Sequence, residues 1–340
     1  MKLFILLSFL VASSISTPTR FSVPVKDAYD SASRIINGQP ARNGQFPWQV
    51  LNIISTPTGT GVCGGSLIAS NWVLTAAHCA DEVYLFTITL GSLYFNSSNV
   101  EGAIVIQTDK VIIHEEYDNW FLFNDIALVD LQQNVVFSNV IQPIPLNKEV
   151  IGSNVNLTVS GWGKTSDVLN EVSPILNFVQ INSISNEDCD KYYGVQVTDG
   201  TLCCKGKPAH SSCHGDSGGP LVKIESNGAT TQVGVITFVH VSGCANGYPS
   251  AYTRTEYYLD WIHTNMRSNF RILTATDLQK LVEEIELDGE DSFNKVLESE
   301  DCEEKLSVAG SLLSEDKTSF SNDDKKEANL TKMTTKSWMT

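Results

Sequence analysis

The sequence predicts an all-β fold, and two observations carry that reading. From about Gln45 to Arg254, short runs rich in β-branched and aromatic residues alternate with clusters of Gly, Asn, Ser and Pro, the texture of a β sandwich or barrel. Helical spacing appears only at the end of this region, over 257–266, where Tyr258, Trp261 and Ile262 share one face.

The elements follow in chain order. Lys2 precedes an apolar run from Leu3 to Ala12, with small residues through Ser16. This reads as a secretory signal over 1–16, too short to span a bilayer. Residues 17–34 are polar, carry Pro18 and Pro24 and show no helical or strand period, so they read as a propeptide. Trp72-Val73-Leu74 is an apolar strand, and further strands are expected over 83–90, 103–113, 126–131, 155–161, 175–183 and 232–239. Beyond Arg267 the texture changes. Residues 268–340 hold 17 acidic and 9 basic side chains, half of the chain's net charge of −16. Leu278, Leu281, Val282 and Ile285 have helical spacing there, and after about Ser307 few apolar residues remain. An acidic, mostly disordered extension over 268–340 is expected.

Composition sets the function classes. A net charge of −16 argues against nucleic-acid partners, and no later stretch is long enough to cross a membrane. Export of the chain to the extracellular space would let its eight cysteines form disulfides. Sequons at Asn96, Asn156 and Asn329 are compatible with secretion.

The chemistry concentrates in Cys213-His214-Gly215-Asp216-Ser217-Gly218-Gly219-Pro220. Glycines on both sides of a serine let the backbone bend sharply and approach a substrate closely. A hydroxyl beside exposed backbone N–H groups suits acyl transfer: the oxygen attacks a carbonyl and the N–H groups hold the oxyanion. A base and an orienting acid are then required. Candidates are His78, in Thr75-Ala76-Ala77-His78-Cys79 after the apolar strand, and Asp125, in Asn124-Asp125-Ile126-Ala127-Leu128-Val129. Imidazole titrates near neutral pH and can take and return a proton.

These three motifs, in the order His, Asp, Ser, resemble the chymotrypsin-like (trypsin-fold) serine proteases over residues 35–267. The resemblance implies two six-stranded Greek-key β-barrels closed by a C-terminal helix. It implies that His78, Asp125 and Ser217 are catalytic, with the oxyanion held by the N–H groups of Gly215 and Ser217. Arg34 followed by Ile35-Ile36-Asn37-Gly38 resembles the family's activation site. Cleavage there would give Ile35 an α-ammonium to pair with buried Asp216, raising the amine's pKa above its ordinary value of roughly 7.7–8.0. Family spacing pairs Cys63 with Cys79, Cys189 with Cys203 and Cys213 with Cys244. Cys204 and Cys302 are left over, either to bond each other or to pair between chains. Thr237 matches the family's serine beside the buried aspartate.

The same resemblance puts Ser211 at the floor of the primary pocket and Val239 and Ser250 on its walls. A floor without a carboxylate would strip water from Arg or Lys with no compensation, so cleavage after uncharged residues is expected, chymotrypsin-like if the pocket is open and elastase-like if Val239 projects into it. Gly247-Tyr248-Pro249-Ser250 and Tyr258-Leu259-Asp260-Trp261 resemble insect chymotrypsins and brachyurin-type enzymes, which makes collagen a candidate substrate. Expected partners are protein or peptide substrates, an activating trypsin-like protease and protein inhibitors. No cofactor is expected: Leu90-Gly91 is followed by Ser92, Leu93 and Tyr94 rather than the family's calcium-binding glutamates, and no His/Cys cluster has zinc spacing. The alternative is a protease-like scaffold that only binds a partner, with His214 and Val239 as its two departures from the family pattern.

Overall fold

Two antiparallel sheets, each curled around its own apolar core, account for nearly all the regular structure. The computed structural model describes residues 35, 38–95, 102–168, 171–207 and 210–268. The leader, Arg34, Cys302, the acidic extension and the sequons at Asn96 and Asn329 therefore lie outside the described residues. Asn156, the remaining sequon, is exposed at the start of a strand.

The first sheet contains β2 (Gln49–Thr56), β3 (Gly59–Ala69), β4 (Trp72–Thr75), β5 (Leu85–Leu90), β6 (Ile104–Thr108), β7 (Val111–Ile113) and β8 (Ala127–Asp130). Its order is β6-β5-β2-β3-β4-β8-β7. The single strand expected over 103–113 is bent at Asp109-Lys110, where the Lys110 N–H donates to Thr108 Oγ1 at 3.1 Å. Its halves, β6 and β7, stand at opposite ends of the sheet order, so one bent strand closes a six-stranded barrel. Val50, Leu67, Val73, Phe86, Ile88 and Val129 fill it, each worth about 1.5–3 kcal/mol when fully buried.

The second sheet contains β9 (Asn156–Gly161), β10 (Asn177–Ile184), β11 (Thr201–Lys205), β12 (Pro220–Ile224), β13 (Thr230–Phe238) and β14 (Ser250–Arg254). Pairing of β9 with β10 closes it into a second six-stranded barrel. The short strand β1 (Gln39–Pro40) adds to β10 in the register Gln39↔Phe178, so this N-terminal segment docks on the second barrel. Leu157, Val159, Ile181, Leu202, Leu221, Val233 and Tyr252 form its core, and Ile35 is buried among them.

Among the described residues, two α-helices complete the fold. Helix α1 (Asn186–Tyr193) is absent from the sequence expectation because its residues are mostly polar and bury only Cys189. Its signal was the cap: Ser185 Oγ accepts the Asp188 N–H at 3.1 Å. Helix α2 (Leu259–Ser268) follows a 3-10 turn, Thr255–Tyr258. It returns to the first barrel, where Tyr258 and Ile262 pack with Trp72, Leu74 and Leu128.

Among the described residues, disulfides join Cys63–Cys79, Cys189–Cys203 and Cys213–Cys244, with sequence separations of 16, 14 and 31. By the chain-entropy account, loops of this length are worth roughly 3 kcal/mol each. Cys204 alternates away from Cys203 on β11 and lies buried in the second core. Burial pushes its thiol pKa up. Its expected partner Cys302 lies outside the described residues.

Candidate active site

His78 and Asp125 meet because two neighbouring strands leave the first barrel at the same end. β4 and β8 pair antiparallel with Thr75 opposite Ala127. His78 lies three residues after that end of β4, and Asp125 two residues before β8. The Asp125 carboxylate is buried and accepts two bonds from the same residue: the His78 backbone N–H on Oδ1 and ring Nδ1 on Oδ2, both at 2.8 Å. The second bond fixes the tautomer and leaves Nε2 as the basic nitrogen. Burial of His78 disfavours its charged form, but the Asp125 charge and hydrogen bond outweigh that, so its pKa is raised above the ordinary 6.5.

Further contacts hold Asp125 from behind. Thr253 Oγ1 on β14 donates to the Asp125 carbonyl at 2.8 Å. Thr237 Oγ1 lies 2.8 Å from Thr253 Oγ1. Thr237 thus reaches Asp125 through Thr253 and its main chain, where a direct place beside the carboxylate was expected. Asn124 adopts a left-handed φ of 52°, a conformation asparagine tolerates better than most residues. Its Oδ1 accepts the Tyr258 hydroxyl at 2.9 Å and its Nδ2 donates to the Glu116 carbonyl at 2.8 Å. Sequence reasoning missed Thr253, Asn124 and Tyr258 as supports, because Tyr258 is 134 residues from Asn124 and no local motif joins them.

Ser217 comes from the second barrel on a loop built around close backbone approaches. Gly215 and Gly218 have φ of 96° and 79°, a region open to glycine. A side chain at Gly218 would overlap the Thr75 hydroxyl, and one at Gly64 would meet Gly219 Cα at 2.8 Å. The Gly64 N–H donates to the Ser217 carbonyl at 2.7 Å, while its own carbonyl accepts Asn52 Nδ2 and Thr75 Oγ1 at 2.9 Å each. Gly64, another residue missed, therefore ties the serine loop to the strand that leads to His78. The Cys63-Gly64-Gly65 sequence was its available signal.

Asp216 points inward and is fully buried. Its carboxylate accepts the Gly163 N–H at 2.6 Å and the Cys213 N–H at 2.9 Å. Side chains at Gly161 or Gly163 would overlap it. Among the described residues no basic side chain pairs with it. Burial, only partly offset by the two backbone bonds, raises its pKa to about 7.

Of the expected pocket residues, Ser250 opens β14, Val239 follows the end of β13 and Ser211 precedes the serine loop. Ser211 is buried and its hydroxyl donates to the Ser212 carbonyl at 2.8 Å. Ser250 Oγ lies 2.9 Å from the Tyr252 hydroxyl, and Ser212 Oγ 3.4 Å from the same oxygen. Half-buried Val239 packs with Ala245 on the Cys213–Cys244 disulfide. This wall is hydroxyls, a disulfide and a branched alkyl group, with no carboxylate among these residues. Two groupings bring His78 or Asp167 close to cysteine sulfurs, but each of those sulfurs is in a disulfide and has no thiolate for a metal.

A buried carboxylate orienting an imidazole on one barrel, and a serine on a glycine loop of the other, are the groups a serine hydrolase requires. The family model described as Trypsin matches residues 35–262. Brachyurin from Leptuca pugilator is 39% identical over 230 residues, covering 68% of this chain and 97% of that protein. Collagenase from Hypoderma lineatum is 35% identical over 264 residues, covering 75% and 95%. Chymotrypsin-C from Rattus norvegicus is 32% identical over 245 residues, covering 69% and 90%. The solved structure of HL collagenase superposes with a TM-score of 0.61 at 33% identity, over 68% of this chain and 98% of that one. The chain belongs to the trypsin family and is a chymotrypsin-like serine endopeptidase, similar to crab and insect-type enzymes.

Proposed function

We propose that the chain is exported as an inactive precursor and becomes a digestive-type endopeptidase when a trypsin-like protease cuts after Arg34. Ser217 attacks the scissile carbonyl as His78 takes its proton. Asp125 holds the ring tautomer and stabilises the imidazolium. The N–H groups of Gly215 and Ser217 hold the oxyanion. Collapse of the tetrahedral intermediate returns the proton from His78 to the leaving amine, and water then hydrolyses the acyl-enzyme by the same route.

The observation that carries the activation step is Asp216, a buried carboxylate with two backbone donors and a pKa near 7. An unpaired buried charge is costly, and a cation beside it removes that cost. Ile35 supports the same reading. It is buried with Leu157 and Val159, on the strand that ends at Gly161 against Asp216. Its φ of 48° is unfavourable for a β-branched residue. Cutting the Arg34–Ile35 bond frees that torsion and creates the ammonium.

Specificity is assigned to uncharged P1 residues. Ser211, Ser250 and Val239 supply no anion, and Val239 on the disulfide narrows the rim, favouring side chains of leucine size over phenylalanine. Collagen is a reasonable substrate class to include, since a relative at 35% identity bears the name collagenase. The test is P1 profiling on a peptide library with protein cut after Arg34. Cleavage after Leu and other uncharged residues is expected, with Val239→Gly widening acceptance to Phe and Tyr. Dominant cleavage after Arg or Lys would overturn the pocket assignment.

A further inference from the structure

The hairpin after Trp162 runs over the serine loop and makes three successive attachments. The Gly163 N–H donates to Asp216 Oδ1 at 2.6 Å. The Lys164 N–H donates to the His214 carbonyl at 2.8 Å. Three residues on, the Asp167 carboxylate spans two adjacent backbone donors, with Oδ1 taking the Cys244 N–H at 2.8 Å and Oδ2 the Ala245 N–H at 2.9 Å. The same carboxylate lies within 4.8 Å of both sulfurs of the Cys213–Cys244 disulfide. Gly243, with φ of 109°, brings the chain so close that a Cβ there would meet Asp167 Oδ2 at 2.6 Å.

We propose that Asp167 is a positioning residue for substrate specificity: it clamps the 243–245 segment, whose Cys244 holds the disulfide on which the rim residue Val239 packs, to the hairpin whose other end holds Asp216. The proposal rests on the pocket assignment made above. Charge-assisted bonds from one carboxylate to two consecutive N–H groups fix both position and orientation of a backbone segment. Val239 and Ala245 pack on the disulfide that this clamp abuts, so the rim and the hairpin move together. Asp167 is itself exposed and touches no reacting group. Its effect is on where the rim sits when a P1 side chain enters.

The test compares Asp167→Ala and Asp167→Asn in the full chain cut after Arg34. A rim contact is used in the ground state and transition state alike, so the loss should raise KM for peptide substrates about fivefold or more and leave kcat within about twofold. Asparagine keeps one acceptor oxygen and should recover part of the effect. Amide hydrogen exchange supplies a readout that needs no turnover: Cys244 and Ala245 should exchange faster in Asp167→Ala than in the parent, with Asp167→Asn between. Unchanged exchange at those amides, or a KM within twofold of the parent, overturns the proposal. A parent protein that cleaves no peptide would instead defeat the functional reading, and the exchange result would still decide the clamp.

Discussion

The two barrels present their active-site residues by opposite means. The first barrel holds His78 and Asp125 at the paired ends of β4 and β8, where ladder hydrogen bonds, the Cys63–Cys79 disulfide and Thr253 already fix them. The second barrel holds Ser217 on a glycine loop whose shape depends on where one buried carboxylate finds its partners. One half of the site is rigid whatever the state of the N-terminus. The other half depends on a charge that is costly to bury until a cation is supplied. If activation runs as proposed, a precursor built this way would be inactive with its base and acid already placed.

The largest expected effect comes from breaking the rigid half. Asp125→Asn removes the acceptor that sets the His78 tautomer, and kcat should fall by about 10⁴-fold, the size this change has in chymotrypsin-like triads. The pH profile of the surviving activity should move its acid limb downward, because the carboxylate is what raises the His78 pKa above 6.5. A loss under tenfold would mean the imidazole is oriented by something else.

The conditional half is sharpened by pH. In the uncut chain Asp216 titrates near 7, against an ordinary carboxylate value of about 3.9. A raised pKa means the folded state favours the proton, so this contribution is complete below about pH 4 and is lost as pH rises through about 7. After cleavage the ammonium lowers the carboxylate pKa and has its own raised, so stability should persist until pH climbs through the amine's folded value. Melting temperatures of cut and uncut protein, measured from pH 4 to 8, should diverge as pH rises, the cut form being more stable at neutrality. His78 titrates in both forms and cancels in the difference. Parallel curves would remove Asp216 as the switch.

The smallest effect concerns the support behind Asp125. Thr253→Val keeps the shape and removes the hydroxyl that donates to the Asp125 carbonyl and meets Thr237. Thr237 keeps the Val235 carbonyl as a partner, but leaving the Asp125 carbonyl unpaired should cost about 1–3 kcal/mol of stability in denaturant unfolding. An unchanged midpoint would show that the Thr253 hydroxyl is dispensable.

Much of the fold and the chemistry was legible, for a physical reason. Strands such as β5, β8, β9 and β13 announce themselves by β-branched residues, and His78, Asp125 and Ser217 each sit in a short contiguous motif. What stayed hidden depends on distance or on backbone. Strands β3 and β14 read poorly because one is glycine-rich and the other, Ser-Ala-Tyr-Thr-Arg, has no apolar β-branched residue to mark it. Helix α1 has too few apolar residues for a period and is held by a cap and a disulfide. Gly64 acts through an N–H and a missing Cβ, which no side-chain pattern reports. Asp167 acts 77 residues away in sequence, on the Cys244 amide.

On the proposed activation step, Ser217 becomes a nucleophile only when the Arg34–Ile35 bond is cut. The most direct measurement of this is the rate at which an organophosphonate labels Ser217 in the precursor and in the cut chain, with the labelled peptide identified by mass spectrometry. The account predicts labelling faster by about 100-fold or more after cleavage, the scale of a completed oxyanion hole. Equal rates in the two forms, or label on another residue, would contradict it.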